Sequence, residues 1–496
     1  MPRRADRALT VVGVLLSMFM AAMEATIVAT AMPTVVEQLG GIQYYGWVGA
    51  VYLLTSTVTM PLYGKLCDLY GRKPIMMLGM VIFLAGSLAS GLSQSMTQLI
   101  VFRALQGAGA GGLQPVSITM IGDLFRPQER ARIQGAFGAV WAVAAMSGPL
   151  LGGLIVRALS WRWVFFINLP FGLLSSWFIL QFFHEHKVTR QHRIDFGGAL
   201  LLTAAIVALL LGAGRFETAW MLPLAAVLLA GFAAVEMRAK EPVLSLSLLA
   251  RPLIGISSAA GAAVGAVMSA TVNYLPLYAQ GVLGGSPTQA GLTVSPMLLG
   301  WPIASSISGR LIVRHGARPL VRIGFAVVML TSLALPWQLR NGAPMLLLGT
   351  TMFVMGAGMG CANIALLIAV QESVVWRERG VATASALFFR TIGGAVAVGA
   401  LGAVLVAAMG PEVPESTLNR LLAPDHGAGL DPALAAHVSR LLRFGLHHVF
   451  DVIGLISVLA LLVALPFPRQ RLGMTEEVVE PVAETAGPAH SGEPPA

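Results

Sequence analysis

Fourteen runs of roughly 20 apolar residues punctuate this 496-residue chain, near positions 10–32, 44–66, 74–92, 97–122, 131–156, 163–183, 195–214, 218–236, 253–281, 289–313, 317–339, 344–371, 379–410 and 445–467. A run of that length crosses the ~30 Å hydrocarbon core of a bilayer as a helix. In lipid only helices and closed barrels satisfy their own backbone hydrogen bonds. The chain is therefore read as an all-α polytopic membrane protein with fourteen transmembrane helices. Composition agrees, at 56% hydrophobic and 11% charged residues against about 25% charged in an ordinary soluble domain. A net charge of +9 in a soluble protein would suggest nucleic acid, but in a membrane protein basic residues report topology first. If the chain starts inside, 23 of its 32 Lys and Arg fall in inner segments and seven in outer ones, while Arg103 and Arg390 lie within spans. That asymmetry predicts cytoplasmic termini. The first run is too long for a signal peptide and is read as an uncleaved span. Cys67 and Cys361 make no disulfide framework and have no ligand neighbours at zinc spacing, so no metal is expected.

The chain also repeats itself. "MEAT" at 23–26 returns as "MSAT" at 268–271, and "GKLCDLYGRKP" at 64–74 returns as "GRLIVRHGARP" at 309–319, both 245 residues on. "GAGAGG" at 107–112 returns as "GAGMGC" at 356–361, 249 residues on. Two homologous halves follow, with two extra spans between them. The expected layout is a cytoplasmic N-terminus over 1–9, a six-helix bundle over 10–184, an inserted hairpin with flanking loops over 185–252, a second six-helix bundle over 253–468, and an acidic, Pro/Gly-rich disordered tail over 469–496. An outer loop over 411–444 precedes the last span, its "SRLLRFGL" end read as a short amphipathic helix. Repeat-built bundles of this kind carry secondary-transporter sites at the repeat interface.

One acid stands inside the first span: Glu24, in "AAMEATIVATAMP". An intramembrane carboxylate costs roughly 2.5 kcal/mol or more and marks a pathway. Its counterpart in the second half is Ser269, so the acid belongs to one half only. In "RALQGAGAGGLQP", Arg103, Gln106, Gly107, Ala110 and Gln114 fall on one helix face, a small and polar stripe expected to face a cavity. Glycines at this density also suit helix packing, a reading that fits Gly107 and Gly111 and leaves Arg103 unexplained. In "GKLCDLYGRKP", Gly64 and Gly71 allow a tight reversal between two helices. Asp68 there can receive a basic partner or a helix N-terminus from the other half.

These stretches resemble the fourteen-span drug:proton antiporters of the major facilitator superfamily, over nearly everything from Val11 to Phe467. Four motifs carry the resemblance: the signature inner loop (Gly64, Asp68, Gly71, Arg72, Lys73), the span-four arginine motif (Arg103, Gln106, Gly107, Gln114), the antiporter motif "AMSGPLLGG" (Gly148, Pro149, Gly152, Gly153) and "WRWVFFINLPFG" at the outer boundary between spans five and six. The last also reads as an aromatic interface belt, through Trp161 and Trp163. Ala144 stands where the family often has a further glycine, and Glu24 where it usually has Asp in a "D-x-T-I-V" pattern.

The resemblance implies export, with Glu24 and Arg103 as the proton-coupling pair, and an inner loop that latches the cytoplasmic side with Asp123 as a second acid for Arg72. It also implies a cavity lined by Gln114, Trp141, Asn273, Tyr274, Asn363 and Phe388. Arg390 is open between two readings, a partner for Asp68 or a helix end, and a substrate contact. The implied protein is no enzyme. It would be a monomer in the bacterial cytoplasmic membrane, exporting lipophilic and cationic compounds with the proton as coupling ion, without other cofactor and without nucleic acid. A periplasmic adaptor is left open. A lipid or lipid-precursor exporter on the same fold, or a proton-coupled importer, are the alternatives. The chain has no nucleotide-binding G-x-x-x-x-G-K-[ST] run.

Overall fold

The computed structural model of the chain describes residues 4–40, 45–125, 127–185, 196–214, 218–239, 244–284, 287–342, 344–410 and 431–469. Among them there are helices and turns and no strand. The N-terminal set is α1 (Arg4–Leu39), α2 (Tyr45–Tyr70), α3 (Arg72–Gly91), α4 (Met96–Leu124), α5 (Pro127–Ala158), the short α6 (Trp163–Phe166) and α7 (Asn168–Phe182). Then come α8 (Phe196–Gly214), α9 (Met221–Glu236) and the short α10 (Leu246–Leu249). The C-terminal set is α11 (Pro252–Gly281), α12 (Pro287–His315), α13 (Ala317–Arg340), α14 (Met345–Glu372), a 3-10 turn (Trp376–Glu378), α15 (Arg379–Met409) and α16 (Pro432–Ala464). A helix overlaps every one of the fourteen apolar segments, and among the described residues eight helices, α6 and α7 taken as one, are long and apolar enough to cross a membrane.

Local chemistry sets the helix ends. Gly71 takes φ 94° and Gly316 takes φ 77°, and each is followed at once by a new helix. Only glycine adopts that left-handed backbone without penalty. The two positions are 245 residues apart, the spacing of the sequence repeat. The Ser95 hydroxyl accepts from the Gln98 amide at 3.3 Å to start α4, and the Asp431 carboxylate accepts from the Ala433 amide at 3.0 Å to start α16. Gly410, at φ 79°, ends α15.

One expectation changes. Residues 432–444, read as the end of an outer loop, are the first turns of α16, because Asp431 and Pro432 start a helix that then runs unbroken into the last span. The remainder of that loop and nearly all of the C-terminal tail lie outside the described residues. Helices α6 and α7 meet at Ile167, which keeps helical dihedrals, and together form one apolar span over Trp163–Phe182.

One apolar core runs from Ala260 to Phe467. A second gathers α1 to α9 residues such as Met80, Phe83 and Leu113 and takes in Leu387 and Phe388 of α15. The two sets meet mainly where α2 packs on α15 and α5 on α12. These seams are close: a Cβ on Gly64 would collide with Ala384 and lie 2.9 Å from the Gly380 carbonyl, and one on Gly138 would lie 2.8 Å from Pro302. Helix α8 covers the α2–α15 seam and pairs with α9.

Candidate functional site

Helix α1 carries Glu24 into the middle of the N-terminal helices, where its side chain has no exposure at all. One carboxylate oxygen accepts directly from Arg103 Nη1 of α4, and the other accepts from Asn168 Nδ2 at 2.5 Å. Arg103 donates in addition to Gln106 Oε1 at 2.8 Å and to the Val48 carbonyl at 3.2 Å. Its guanidinium carbon lies 4.2 Å from the centre of the Tyr52 ring. Asn168 donates also to Ser87 Oγ at 3.0 Å, and Ser87 donates on to the Phe165 carbonyl at 2.8 Å. The network thus joins α1, α2, α3, α4, α6 and α7.

Two charges taken out of water cost several kcal/mol each, repaid only by close pairing and by neutral groups that fill the remaining hydrogen-bonding positions. Asn168, Gln106, Val48 and the Tyr52 ring fill them here. Sequence reading took the stretch that holds Asn168 as a family motif and as an aromatic interface belt, and gave the amide itself no role. The one signal available was an amide inside the apolar run "FFINLP", which a buried position obliges to find partners.

The stripe on α4 does not face an open cavity. Arg103, Gln106, Gly107 and Ala110 are buried, and of the five only Gln114 is half-exposed. The reason is packing: a Cβ on Gly107 would collide with Thr55 and Tyr52, and one on Gly111 with Thr59, so the glycines draw α4 against α2. The "AMSGPLLGG" motif sits against α1, the helix that carries Glu24. A Cβ on Gly148 would collide with Thr26, two residues after Glu24, and the Thr26 hydroxyl lies 3.4 Å from the Ala144 carbonyl. Gly152 is buried and Gly153 faces open space. Pro149 lies in α5, with its side chain outside the described residues.

A second cluster closes the end of the molecule that carries the inner loop. Asp68 accepts from the Gly380 and Val381 amides at 2.9 and 2.7 Å. The unpaired amides of the first turn of α15 are a natural seat for a carboxylate. Arg72, 1% exposed, lies 3.3 Å from Asp68 and donates to Asp123 at 2.9 Å. It also donates to the Trp376 carbonyl at 2.9 Å, with its guanidinium 4.0 Å from the centre of the Trp376 ring. Arg379 Nη1 lies 3.7 Å from Asp123. Glu185 accepts from the Arg72 and Lys73 amides at 2.6 and 2.9 Å and so caps α3, while Lys73 Nζ reaches the Leu180 carbonyl at 2.6 Å. Trp376 and Glu185 lie in short connections with no motif of their own, which is why sequence reading passed over them.

The expected cavity residues separate into two groups. Gln114 and Asn363 are half-buried, and Asn273 and Trp141 are exposed. Tyr274 and Phe388 are not at an open wall: Tyr274 is buried and donates to the Val398 carbonyl at 2.6 Å, and Phe388 packs into the core of the N-terminal helices. Of the two readings for Arg390, a pairing with Asp68 is excluded, because Asp68 is taken by the α15 amides and Arg72. Arg390 donates instead to Asn363 Oδ1 at 3.3 Å.

Comparison with known proteins gives the family. The Major Facilitator Superfamily profile matches residues 14–398. The multidrug transporter protein MdtP of Bacillus subtilis (strain 168) is 36% identical over 82% of this chain and 77% of its own. Multidrug resistance protein 3 of the same organism is 36% identical over 81% of this chain and 80% of its own. Among solved structures, the human organic anion transporter MFSD10 superposes with TM-score 0.62 at 17% identity, over 93% of this chain and all of its own. The proton:xylose symporter XylE gives TM-score 0.61 at 14% identity over 93% of this chain and 96% of its own, and both likenesses concern the fold. The chain belongs to the Major Facilitator Superfamily and is a membrane transporter, not an enzyme.

Proposed function

We propose that the protein exports lipophilic, cationic drugs or toxic metabolites in exchange for protons, by alternating access across the bacterial cytoplasmic membrane. In this reading the chain crosses fourteen times, keeps both termini in the cytoplasm, acts as a monomer and needs no coupling ion but the proton. The observation that carries it is the wholly buried Glu24–Arg103 pair, cradled by Asn168, Gln106 and Tyr52. The multidrug relatives support the substrate class.

Protonation of Glu24 removes the negative partner of Arg103. The guanidinium keeps the Val48 carbonyl, Gln106 and the Tyr52 ring, so α1 and α4 can part without leaving a bare cation in lipid. Deprotonation draws them together again. Since Glu24 has no exposed surface, drug and proton compete through the position of α1 rather than by direct contact. The contact of Thr26 with Ala144 and Gly148 would pass that movement to α5. The Asp68–Arg72–Trp376 cluster would hold the inner side shut in the outward-facing state.

Two protons exchanged for one monovalent cation move one net charge, which through 100 mV supplies about 2.3 kcal/mol and sustains roughly a fortyfold substrate gradient. Proteoliposomes holding ethidium at equal concentration on both sides and given a proton gradient test the reading. Wild type is expected to move ethidium against its gradient, Glu24→Asp to retain part of that, and Glu24→Gln to move none. Full proton-driven transport by Glu24→Gln would overturn it.

A further inference from the structure

The C-terminal helices hold one intramembrane charge that the proton site does not use. Arg390 is eleven residues into α15, about 16 Å along the axis at 1.5 Å per residue, or half the thickness of the apolar core. It faces the interior: Leu387, one turn earlier, packs into the core of the N-terminal helices, and the adjacent Thr391 lies 3.9 Å from Met60 of α2. Its single polar contact among the described residues is the neutral Asn363 of α14, at 3.3 Å. No carboxylate among them lies within ion-pair distance of Arg390. Both Arg390 and Asn363 remain half-exposed.

An arginine cannot shed its proton, and its planar fork presents five donors suited to carboxylate or phosphate. A cation held at this depth by one neutral amide leaves the rest of that fork unfilled. We infer that Arg390 and Asn363 form a subsite for the oxyanion of a lipophilic substrate, so that amphiphiles bearing a carboxylate or phosphate are cargo of this protein. The inference rests on the export reading above and extends its substrate class from cations to acids and zwitterions. The apolar body of such a cargo lies against the interior faces of α14 and α15, and its acidic group takes the donors of Arg390 that Asn363 leaves free.

Fluorescence titration of the full-length protein in detergent tests this with dansyl-phenylalanine, which carries a carboxylate, and dansyl-phenylalanine amide, which does not. Wild type is expected to bind the acid at least about tenfold more tightly than the amide, the scale of one charge-assisted hydrogen bond. Arg390→Gln is expected to erase that preference, and Arg390→Lys, which keeps the charge and loses the fork, to retain part of it. Displacement of the probe by 1-oleoyl-lysophosphatidate at lower concentration than by unlabelled N-acetyl-phenylalanine would identify a lipid headgroup as the oxyanion source, and the reverse order a carboxylate drug. Equal affinity for acid and amide in wild type, or an undiminished preference in both Arg390 variants, would overturn the subsite. Ethidium has no acidic group and reads the export proposal separately. Absent ethidium transport with the acid preference intact breaks the export reading alone, and ethidium transport without any acid preference breaks the subsite alone.

Discussion

Gly71 and Gly316, 245 residues apart, make the same left-handed turn and launch the same kind of helix. At that spacing the buried Glu24 meets Ser269, and at 249 residues Arg103 and Gln106 meet Met352 and Met355, both fully buried. One backbone plan therefore accepts an ion pair with its neutral cradle in one set of helices and a soft apolar filling in the other. Methionine packs irregular interior space without asking for partners, so the layer does not need charge in order to pack. Charge kept where packing would do without it is the mark of a functional group, and that contrast singles out Glu24 and Arg103.

Transplanting the C-terminal residues onto the N-terminal frame puts the contrast under most stress. Arg103→Met alone leaves Glu24 buried without its cation and is expected to cost about 3–5 kcal/mol, read as a fall in the denaturation midpoint in detergent. Glu24→Ser combined with Arg103→Met removes both charges. That double variant is expected to return to wild-type stability or exceed it by ~1–4 kcal/mol, with no proton-driven transport. A double variant as unstable as the single one would make the pair a structural device and end the comparison.

A smaller effect is expected at Asn168, whose two donors go to Glu24 and Ser87. Asn168→Leu leaves both acceptors short of a partner and should lose about 1–3 kcal/mol of stability. Its transport should also fall more steeply than that of Ser87→Ala. Equal transport in the two variants would show that the amide serves packing alone.

How much of this was legible in the sequence depends on whether a residue's chemistry leaves it a choice. Apolar runs of membrane length have one stable form, so each could be assigned a helix, while the start of α16 at Pro432, outside the apolar run, could not be read from hydropathy. A buried acid and a buried base in neighbouring spans favour each other, so Glu24 with Arg103 followed from burial, and Arg72 with Asp68 and Asp123 from the resemblance, while Arg390 meets no acid among the described residues. Residues with neutral side chains have several satisfactory fates. Tyr274 could have lined a cavity and instead reaches the Val398 carbonyl. Phe388 could have met substrate and instead fills a core. Asn168, Glu185 and Trp376 acquire their roles from segments remote in the chain, and nothing local announces them.

The Asp68–Arg72–Trp376 cluster sharpens the comparison further, because its acid is again in one half only: Val313 stands where the repeat would place a second Asp68. Trp376→Ala removes a ring stacked on a desolvated arginine, an interaction of about 2 kcal/mol. Spin labels on the end of α2 next to Asp68 and on the start of α15 are expected to report a larger open population in that variant. An unchanged distance distribution would mean that the Asp68 cap on α15 holds the seam unaided. The smallest effects are those of Gly71→Ala and Gly316→Ala, each about 1–2 kcal/mol for the left-handed backbone. Gly71 should be the costlier, since its Cβ would lie 2.8 Å from the Glu185 carboxylate. Equal melting temperatures for the two would remove Glu185 from the account of the latch.

The most direct test of the central claim is proton release from detergent-solubilised protein on addition of ethidium, followed with a pH indicator in weakly buffered solution. Wild type is expected to release protons in a saturable, near-stoichiometric step, and Glu24→Gln, melting at the wild-type temperature, to release none. Release of equal size from Glu24→Gln would place the coupling proton elsewhere and contradict the account.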